Sequence, residues 1–358
     1  MNHLNPLVSI IIPLYNRVTL VNETIASVLN QSYINWECIV VDDGSSDGSF
    51  ELVEQLKQTD NRIRLFRRTI ALKGAPVCRN IGLEKSSGTY IIYLDSDDLL
   101  APFCLEKRVH HFLQYNDLDF LVFPMLVFKD QPYDLNLLWN RENKEEDLDR
   151  FLRMDALWQT TGPLYKRTVL IAEKGFREEL AFWQDYDLHL RLVLKGYRYR
   201  KFLSAEPDCF YRGHYDNRVS ICNPFVKDDT MLDKEVGFFT WQLKFLKSEN
   251  IQLDKKHRVV LWHVLNSLVS RYLLEKNKPV TYIKKWFQAG RLLEVGWYNH
   301  SITFLYQFTC WLAKKSSFFI RFRTAWQQVF KNRIADGDIL TNNAIGRIKY
   351  TATQSINS

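Results

Sequence analysis

Three short apolar runs in the first hundred residues of this 358-residue chain end in groups able to bind or transfer charge. Val8-Ser9-Ile10-Ile11-Ile12 runs into Pro13-Leu14-Tyr15-Asn16, and Cys38-Ile39-Val40-Val41 into Asp42-Asp43-Gly44-Ser45. Tyr90-Ile91-Ile92-Tyr93-Leu94 runs into Asp95-Ser96-Asp97-Asp98. Carboxylates gathered on one edge repel one another unless a cation or a hydrogen-bond donor sits among them. A divalent ion and a nucleotide base would supply both. Acidic residues also start turns and cap helices, so each end has a structural explanation of its own; it is their coincidence that points to a ligand. Asp95-x-Asp97 is the sharpest of the three. Two hard carboxylate oxygens after a buried strand suit Mg²⁺ or Mn²⁺, ions that keep several waters and complete their shell from phosphates.

The positions of these ends depend on the elements behind them. Each apolar run is followed by a polar turn and then a helical pattern: Leu20, Val21, Ile25, Val28 and Leu29 share one face, and Phe50, Val53 and Leu56 mark the next helix. Ile63-Arg64-Leu65-Phe66 is a shorter strand, and Pro76 opens the helix that carries Arg79-Asn80. Strands alternating with helices predict an α/β fold with a mostly parallel sheet covered by helices on both faces. In such sheets ligands bind beyond the carboxyl ends of the strands, which is where the three polar ends fall. Asn136 to Asp149 reads as an exposed polar connection, Trp183 to Lys195 as a helix and Tyr197 to Leu203 as an edge strand. Beyond Asn223 the pattern turns helical and aromatic. The expected organisation is a ligand-binding domain over 1–222, a helical, basic, aromatic-rich region over 223–340 and a loose tail over 341–358.

Several chemistries are excluded by what is missing. No GxGxxG follows the first strand and no GxxxxGK[ST] occurs, so dinucleotide and P-loop phosphate cradles are absent. A nucleotidyltransferase would need a glycine-rich basic first loop, and Pro13-Leu14-Tyr15-Asn16 is not one. The six cysteines are scattered without a CxxC pair and read as buried thiols of a reducing compartment. Met1 to Leu7 lacks a secretory pattern, and no run reaches the roughly 18–20 apolar residues of a membrane span, so a cytoplasmic protein is expected.

Five segments in order now resemble glycosyltransferase family 2, the inverting enzymes of GT-A (Rossmann-like) fold, over roughly residues 7 to 220. They are Val8–Asn16 (VSIIIPLYN), Val40–Asp47 (VVDDGSSD), Arg79-Asn80-Ile81-Gly82, Ser87–Asp98 (SGTYIIYLDSDD) and Trp183–Arg191 (WQDYDLHLR). The resemblance implies transfer of a sugar, as a hexosyltransferase of the bacterial surface-polysaccharide type would perform it, from a nucleotide-sugar, with a UDP-sugar favoured. Pro13, Tyr15 and Asn16 would line the nucleobase, Tyr15 by stacking, and Asp43 would accept from the imide N–H of uracil or thymine, a demand that a guanine N1–H also meets. Gly74 and Arg79 would contact base or phosphate, although an arginine there could instead pair with Asp42 or Asp43. Asp97 would bind Mn²⁺ or Mg²⁺, with Asp95 and Ser96 on ribose or metal-bound water. Asp185 would be the catalytic base, with Asp187 structural. Trp183, Gln184 and Arg212 would face the acceptor. Tyr211-Arg212-Gly213-His214 resembles a late motif that closes over the diphosphate, and His214 would complete the metal shell.

One position departs from the pattern: the family usually has Glu-Asp where this chain has Gln184-Asp185. Loss of a neighbouring carboxylate should lower the pKa of Asp185 and weaken it as a base. Thr160-Thr161-Gly162-Pro163-Leu164-Tyr165 matches a segment lining the acceptor side, though as bare sequence it is a turn.

Charge is unevenly spread. From Ile221 onward there are 21 Lys and Arg against 10 Asp and Glu, leaving 27 against 31 before it, within a net charge of +7. The run from Trp311 to Arg323 has the composition of an interfacial helix; aromatics at helical spacing are also ordinary core. A carbohydrate or lipid-linked acceptor and a peripheral contact with the inner face of a membrane are the corresponding expectations; no nucleic-acid partner is expected. The competing reading is a catalytically silent nucleotide-sugar-binding partner of the same fold, suggested by Gln184 alone.

Overall fold

The computed structural model describes residues 5–140, 142, 144–180, 182–213, 231–275 and 348–349. The first segments form β1 (Val8–Leu14), α1 (Val21–Leu29), β2 (Trp36–Asp42), α2 (Ser49–Thr59), β3 (Ile63–Arg67), α3 (Ala75–Lys85) and β4 (Tyr90–Tyr93). Then come β5 (Leu99–Leu100), α4 (Cys104–Gln114), β6 (Phe120–Val122), β7 (Met125–Phe128), β8 (Leu137–Leu138) and α5 (Asp147–Leu152). They are followed by β9 (Pro163–Lys166), α6 (Arg167–Ala172), α7 (Gln184–Leu194), β10 (Tyr199–Lys201) and β11 (Cys209–Arg212). Finally there are α8 (Met231–Ser248), α9 (Lys255–Glu275) and β12 (Ile348–Lys349). The chain divides into two compact units, one of residues 1–144, 156–223 and 345–358, the other of 145–155 and 224–344.

In the first unit a seven-stranded sheet runs in the order β10-β6-β9-β4-β1-β2-β3. All its pairings are parallel except those of β9, which is antiparallel to both β4 and β6. The continuous apolar run of β1 follows from its central place. Ile10 and Ile12 belong to a core cluster with Val21, Ile25 and Val28 of α1 and Leu105, Val109 and Phe112 of α4. Ile11 faces the other way, onto α3, where a side chain on Gly82 would sit 2.3 Å from its Cγ2. Both faces of the strand are covered, so alternation disappears. Proline is tolerated at Pro13 because Ile11 carries the last bond toward β4, accepting from Leu94 N–H at 3.0 Å. Pro13, two residues on, faces that same side after β4 has turned away.

A second sheet, ordered β12-β8-β7-β11-β5, extends the first unit. One strand of each sheet, β8 here and β9 in the first, lies where the sequence suggests nothing regular. The segment from Asn136 to Asp149 is not a simple exposed connection: it contributes β8 and the first turn of α5. Buried Asn140 within it accepts from Met125 N–H at 3.1 Å and donates to Phe123 O at 3.2 Å. A side-chain amide that supplies missing backbone partners leaves no hydrophobic trace in the sequence. Pro163-Leu164-Tyr165, likewise, is strand β9, inserted between β4 and β6. Cys38, Cys78, Cys104 and Cys209 are buried free thiols, as the scattered cysteines predict; Cys222 and Cys310 lie outside the described residues. In the second unit the turn after α8 holds Asn250 in the left-handed conformation (φ 52°), with Ile251 N–H returning to Leu246 O at 2.9 Å. Asp254 then caps α9 by accepting from His257 N–H at 2.8 Å. No described helix is long and apolar enough to cross a membrane.

Candidate active site

The carboxyl ends of β1, β2 and β4 sit side by side, because Leu14 is in register with Asp42 and Ile11 with Tyr93. At the first end, Tyr15 is 51% exposed, an aromatic ring left uncovered at the sheet edge. Asn16 adopts a left-handed backbone (φ 49°), which asparagine tolerates better than most residues. It spends its groups locally: Ser46 N–H donates to its Oδ1 at 2.9 Å, and its own N–H donates to Ser45 Oγ at 3.0 Å.

The two aspartates of the second end do different work. Asp42 is fully buried and accepts from the N–H groups of Gly44 and Ser45, each at 3.1 Å, shaping the turn. Asp43 receives Arg68 Nε at 2.5 Å on Oδ1 and Gly74 N–H at 2.9 Å on Oδ2. Gly74, at φ 125°, holds a conformation that only glycine adopts without strain, and the helix behind it opens with proline in its first turn, as the sequence predicts. A carboxylate offers about four acceptor sites, so these bonds do not exhaust Asp43.

Third comes the acidic turn. Asp98 is buried; it accepts from Arg212 N–H at 2.9 Å, and Gln159 Nε2 lies 3.4 Å away. Burial first, then repulsion from Asp97 and Asp95, pushes its pKa well above the usual carboxylate range. Ser96 is buried between them. Asp97 carries Arg17 Nε 3.2 Å from its Oδ2, and its carbonyl accepts from Arg212 Nε at 2.9 Å. Arg212 also donates to Glu23 at 2.6 Å. It thus stands at the acidic turn, bonded to Asp97, Asp98 and Glu23.

Arg79 joins this turn to α7. Its side chain is 5% exposed, and it donates to Asp95 Oδ1 at 2.5 Å and to Gln184 Oε1 at 2.8 Å. The expected alternative, pairing with Asp42 or Asp43, does not occur: those carboxylates are taken by their own turn and by Arg68. Trp183 caps α7 in the left-handed region (φ 54°), its carbonyl accepting from Asp187 N–H at 2.8 Å. A bulky residue held there costs roughly 1–3 kcal/mol, and aims the first turn of α7.

Asp185 lies in that turn, with Tyr186 N–H 2.9 Å from its Oδ1. Its pKa is raised above the ordinary aspartate value. Burial is the largest influence, and it outweighs both that N–H and the attraction of Arg79. Desolvation thus acts against the lowering expected from Gln184. Asp187 is fully buried and paired with Arg191 at 3.0 Å; burial pushes its carboxyl up to about 6. His214 and the interfacial run from Trp311 to Arg323 lie outside the described residues.

Arg17, Arg68 and Gln159 join the site without having been singled out in the sequence, and Asp98, quoted there as the end of its motif, joins it with no role assigned. Arg17 adjoins a motif residue, and Arg68 follows β3 beside Asp43; Gln159 leaves no signal. The residues at hand fit a cation: three carboxylates occur within four positions, and the positive group drawn to Asp97 is an arginine.

Residues 9–170 match the model of glycosyl transferase family 2. An uncharacterised glycosyltransferase of Haemophilus influenzae is 49% identical over 109 residues, 30% of this chain and 43% of that protein. WfgD of Escherichia coli, a UDP-Glc:alpha-D-GlcNAc-diphosphoundecaprenol beta-1,3-glucosyltransferase, is 43% identical over 111 residues, 31% of this chain and 42% of its own length. The matched segments span less than half of these relatives. S. aureus TarS 1–349 in complex with UDP-GlcNAc shares the fold, with a TM-score of 0.60 at 18% identity over 92% of this chain and 95% of that one.

Proposed function

We propose, for a chain whose residues 9–170 match the glycosyl transferase family 2 model, that it transfers a sugar from a UDP-sugar to an acceptor hydroxyl with inversion at the anomeric carbon. The observation that carries this reading is Arg79, whose one guanidinium bonds the acidic turn through Asp95 and the first turn of α7 through Gln184. A base and a leaving-group site must lie within one substrate's reach of each other. That single buried side chain supports such an arrangement between Asp97 and Asp185.

In this reading the uncovered ring of Tyr15 stacks on the base, beside Pro13. Asp43, already oriented by Arg68 and Gly74, accepts the imide N–H of uracil with a remaining lone pair. TarS, by the name of its complex, binds UDP-GlcNAc, and WfgD is named for a UDP-glucose donor; both favour a uridine nucleotide. Asp97 would hold the divalent cation, with Asp95 and Ser96 on its waters or the ribose. A Mg²⁺ or Mn²⁺ ion bound there supplies neutralisation of charge on the departing diphosphate. Arg212, anchored on the Asp97 carbonyl, keeps the acidic turn in place.

Asp185 takes the proton from the acceptor hydroxyl as the oxygen attacks opposite the diphosphate. Its burial makes it more basic than an exposed aspartate, which favours that role. Gln184, which gives its carbonyl to Arg79, would flank the acceptor beside Trp183. The name of WfgD supports an acceptor sugar carried on a lipid diphosphate, and hence work at a membrane face in surface-polysaccharide assembly.

A panel of nucleotide-sugars, scored by thermal shift with and without Mn²⁺, should select one UDP-sugar whose effect needs the ion. In transfer assays with that donor, Asp185→Asn should abolish turnover while keeping donor affinity near normal. Asp97→Ala should weaken donor and ion together. A fully active Asp185→Asn protein would remove the base from this scheme.

A further inference from the structure

Independently of the donor site, we propose that Glu146, Asp149 and His257 form a second metal site, selective for a transition dication such as Zn²⁺, that clips α5 to α9. Each of the three offers one ligand atom, all within 4.8 Å of one another; His257 presents Nε2 to Glu146 Oε1 and Asp149 Oδ1. Nε2 lies 3.5 Å from each of the two oxygens. Ligands about 2.0–2.1 Å from a tetrahedral zinc stand roughly 3.3 Å apart, so these spacings need only small adjustment. At 3.5 Å they are too long for the hydrogen bonds an imidazole N–H would make.

The imidazole is oriented for this purpose. His257 Nδ1 lies 2.9 Å from Asp254 Oδ1. Donation there leaves Nε2 as a lone pair, and a carboxylate on the far ring nitrogen is the usual partner of a metal-bound histidine. His257 is 8% exposed and Asp149 is 9% exposed. Nε2 and Asp149 Oδ1 are both buried with no hydrogen-bond partner among the described residues. In that neutral tautomer a lone pair aimed at two carboxylate oxygens is repulsive. A cation at the centre satisfies all three atoms at once.

Lys256 does not take that place. Its Nζ sits 2.6 Å from Asp149 Oδ2 and 2.9 Å from Glu146 Oε2, the outer oxygens, leaving the inner pair facing His257. An imidazole ligand favours zinc and its neighbours over Mg²⁺, which prefers oxygen throughout. The site therefore differs in chemistry from the cation expected at Asp97. Its ligands are 111 positions apart in the chain, and joining them would hold the 145–155 excursion onto the helices of its own unit.

Zn²⁺ titrated into the full-length protein against a chromophoric chelator tests this. One equivalent should bind to the wild type and equally to Asp97→Ala, and should be lost in His257→Gln. Asp254→Asn should bind about 10- to 100-fold more weakly. Co²⁺ in the wild-type protein should give the intense visible absorption of a tetrahedral ion, a readout that requires no variant to fold. Lys256→Met should keep one equivalent and bind it more tightly. The proposal fails if wild type binds no equivalent, if His257→Gln binds as wild type does, or if the equivalent disappears with Asp97→Ala.

Discussion

Arg79 offers the most direct test of how the catalytic parts are coupled. It makes two bonds from one buried side chain, at 2.8 Å to Gln184 and 2.5 Å to Asp95. Lysine keeps the charge but presents a compact ammonium in place of a planar fork, so Arg79→Lys can serve one acceptor well and not both. The ion pair with Asp95 is the stronger attraction and should be retained. The bond to Gln184, from a charged donor to a neutral acceptor, is worth about 2 kcal/mol. If that positioning is fully expressed in the transition state, about 2 kcal/mol corresponds to a roughly 30-fold loss of rate. The expected result is kcat reduced about 30-fold, with the donor KM changed much less and the unfolding midpoint near wild type. Arg79→Met should fall further, because Asp95 then loses its partner. It should also move the acid limb of the kcat/KM profile to higher pH, since Arg79 is the attraction that opposes the burial of Asp185. An Arg79→Lys enzyme with kcat within about 3-fold of wild type would refute the coupling, because 3-fold is only about 0.7 kcal/mol.

Further expectations concern the scaffold. Gly82→Ala forces a methyl to within 2.3 Å of Ile11 Cγ2 and should cost about 1–3 kcal/mol in denaturant unfolding, less when combined with Ile11→Ala; an unchanged midpoint would mean that α3 is free to lift from β1. Arg108 and Asp208 are fully buried partners, bonded at 2.8 and 2.6 Å. Arg108→Met should destabilise by about 3–5 kcal/mol by stranding the carboxylate, and a loss under about 1 kcal/mol would show that Asp208 finds another partner. Asp187, pushed up to about 6 by burial from an ordinary 3.8, binds its proton more tightly folded than unfolded. Its contribution is therefore complete below about pH 4 and is lost as pH rises through about 6. Urea midpoints of wild type relative to Asp187→Asn should fall across that window, and parallel pH profiles would contradict the assignment.

Much of this architecture is legible in the chain, for reasons that are local. A β-branched run such as Val8–Ile12 with no alternation can be buried on both faces only in a central parallel strand, and the opposed packing of Ile10 and Ile11 bears this out. Gly74 followed by Pro76 announces the start of α3, and Trp183 to Lys195 has the period of α7. By contrast, Asn140 holds β7 in place through a side-chain amide, and β9 enters the sheet antiparallel from a stretch that reads as a turn. Neither depends on a repeating pattern, so neither leaves one.

Residue type and order therefore determined which side chains gather at the strand ends: Tyr15, Asp43, Asp95 and Asp97 stand there because each follows a buried strand directly. Partnership was decided only by the tertiary structure. Asp42 and Asp43 are satisfied by their own turn, by Arg68 and by Gly74, and this leaves Arg79 to bridge Asp95 and Gln184, 105 positions away. The basicity of Asp185 was settled in the same way. Its neighbour Gln184 argues for a lower pKa, but desolvation is a property of everything packed around a group, and only the fold supplies it.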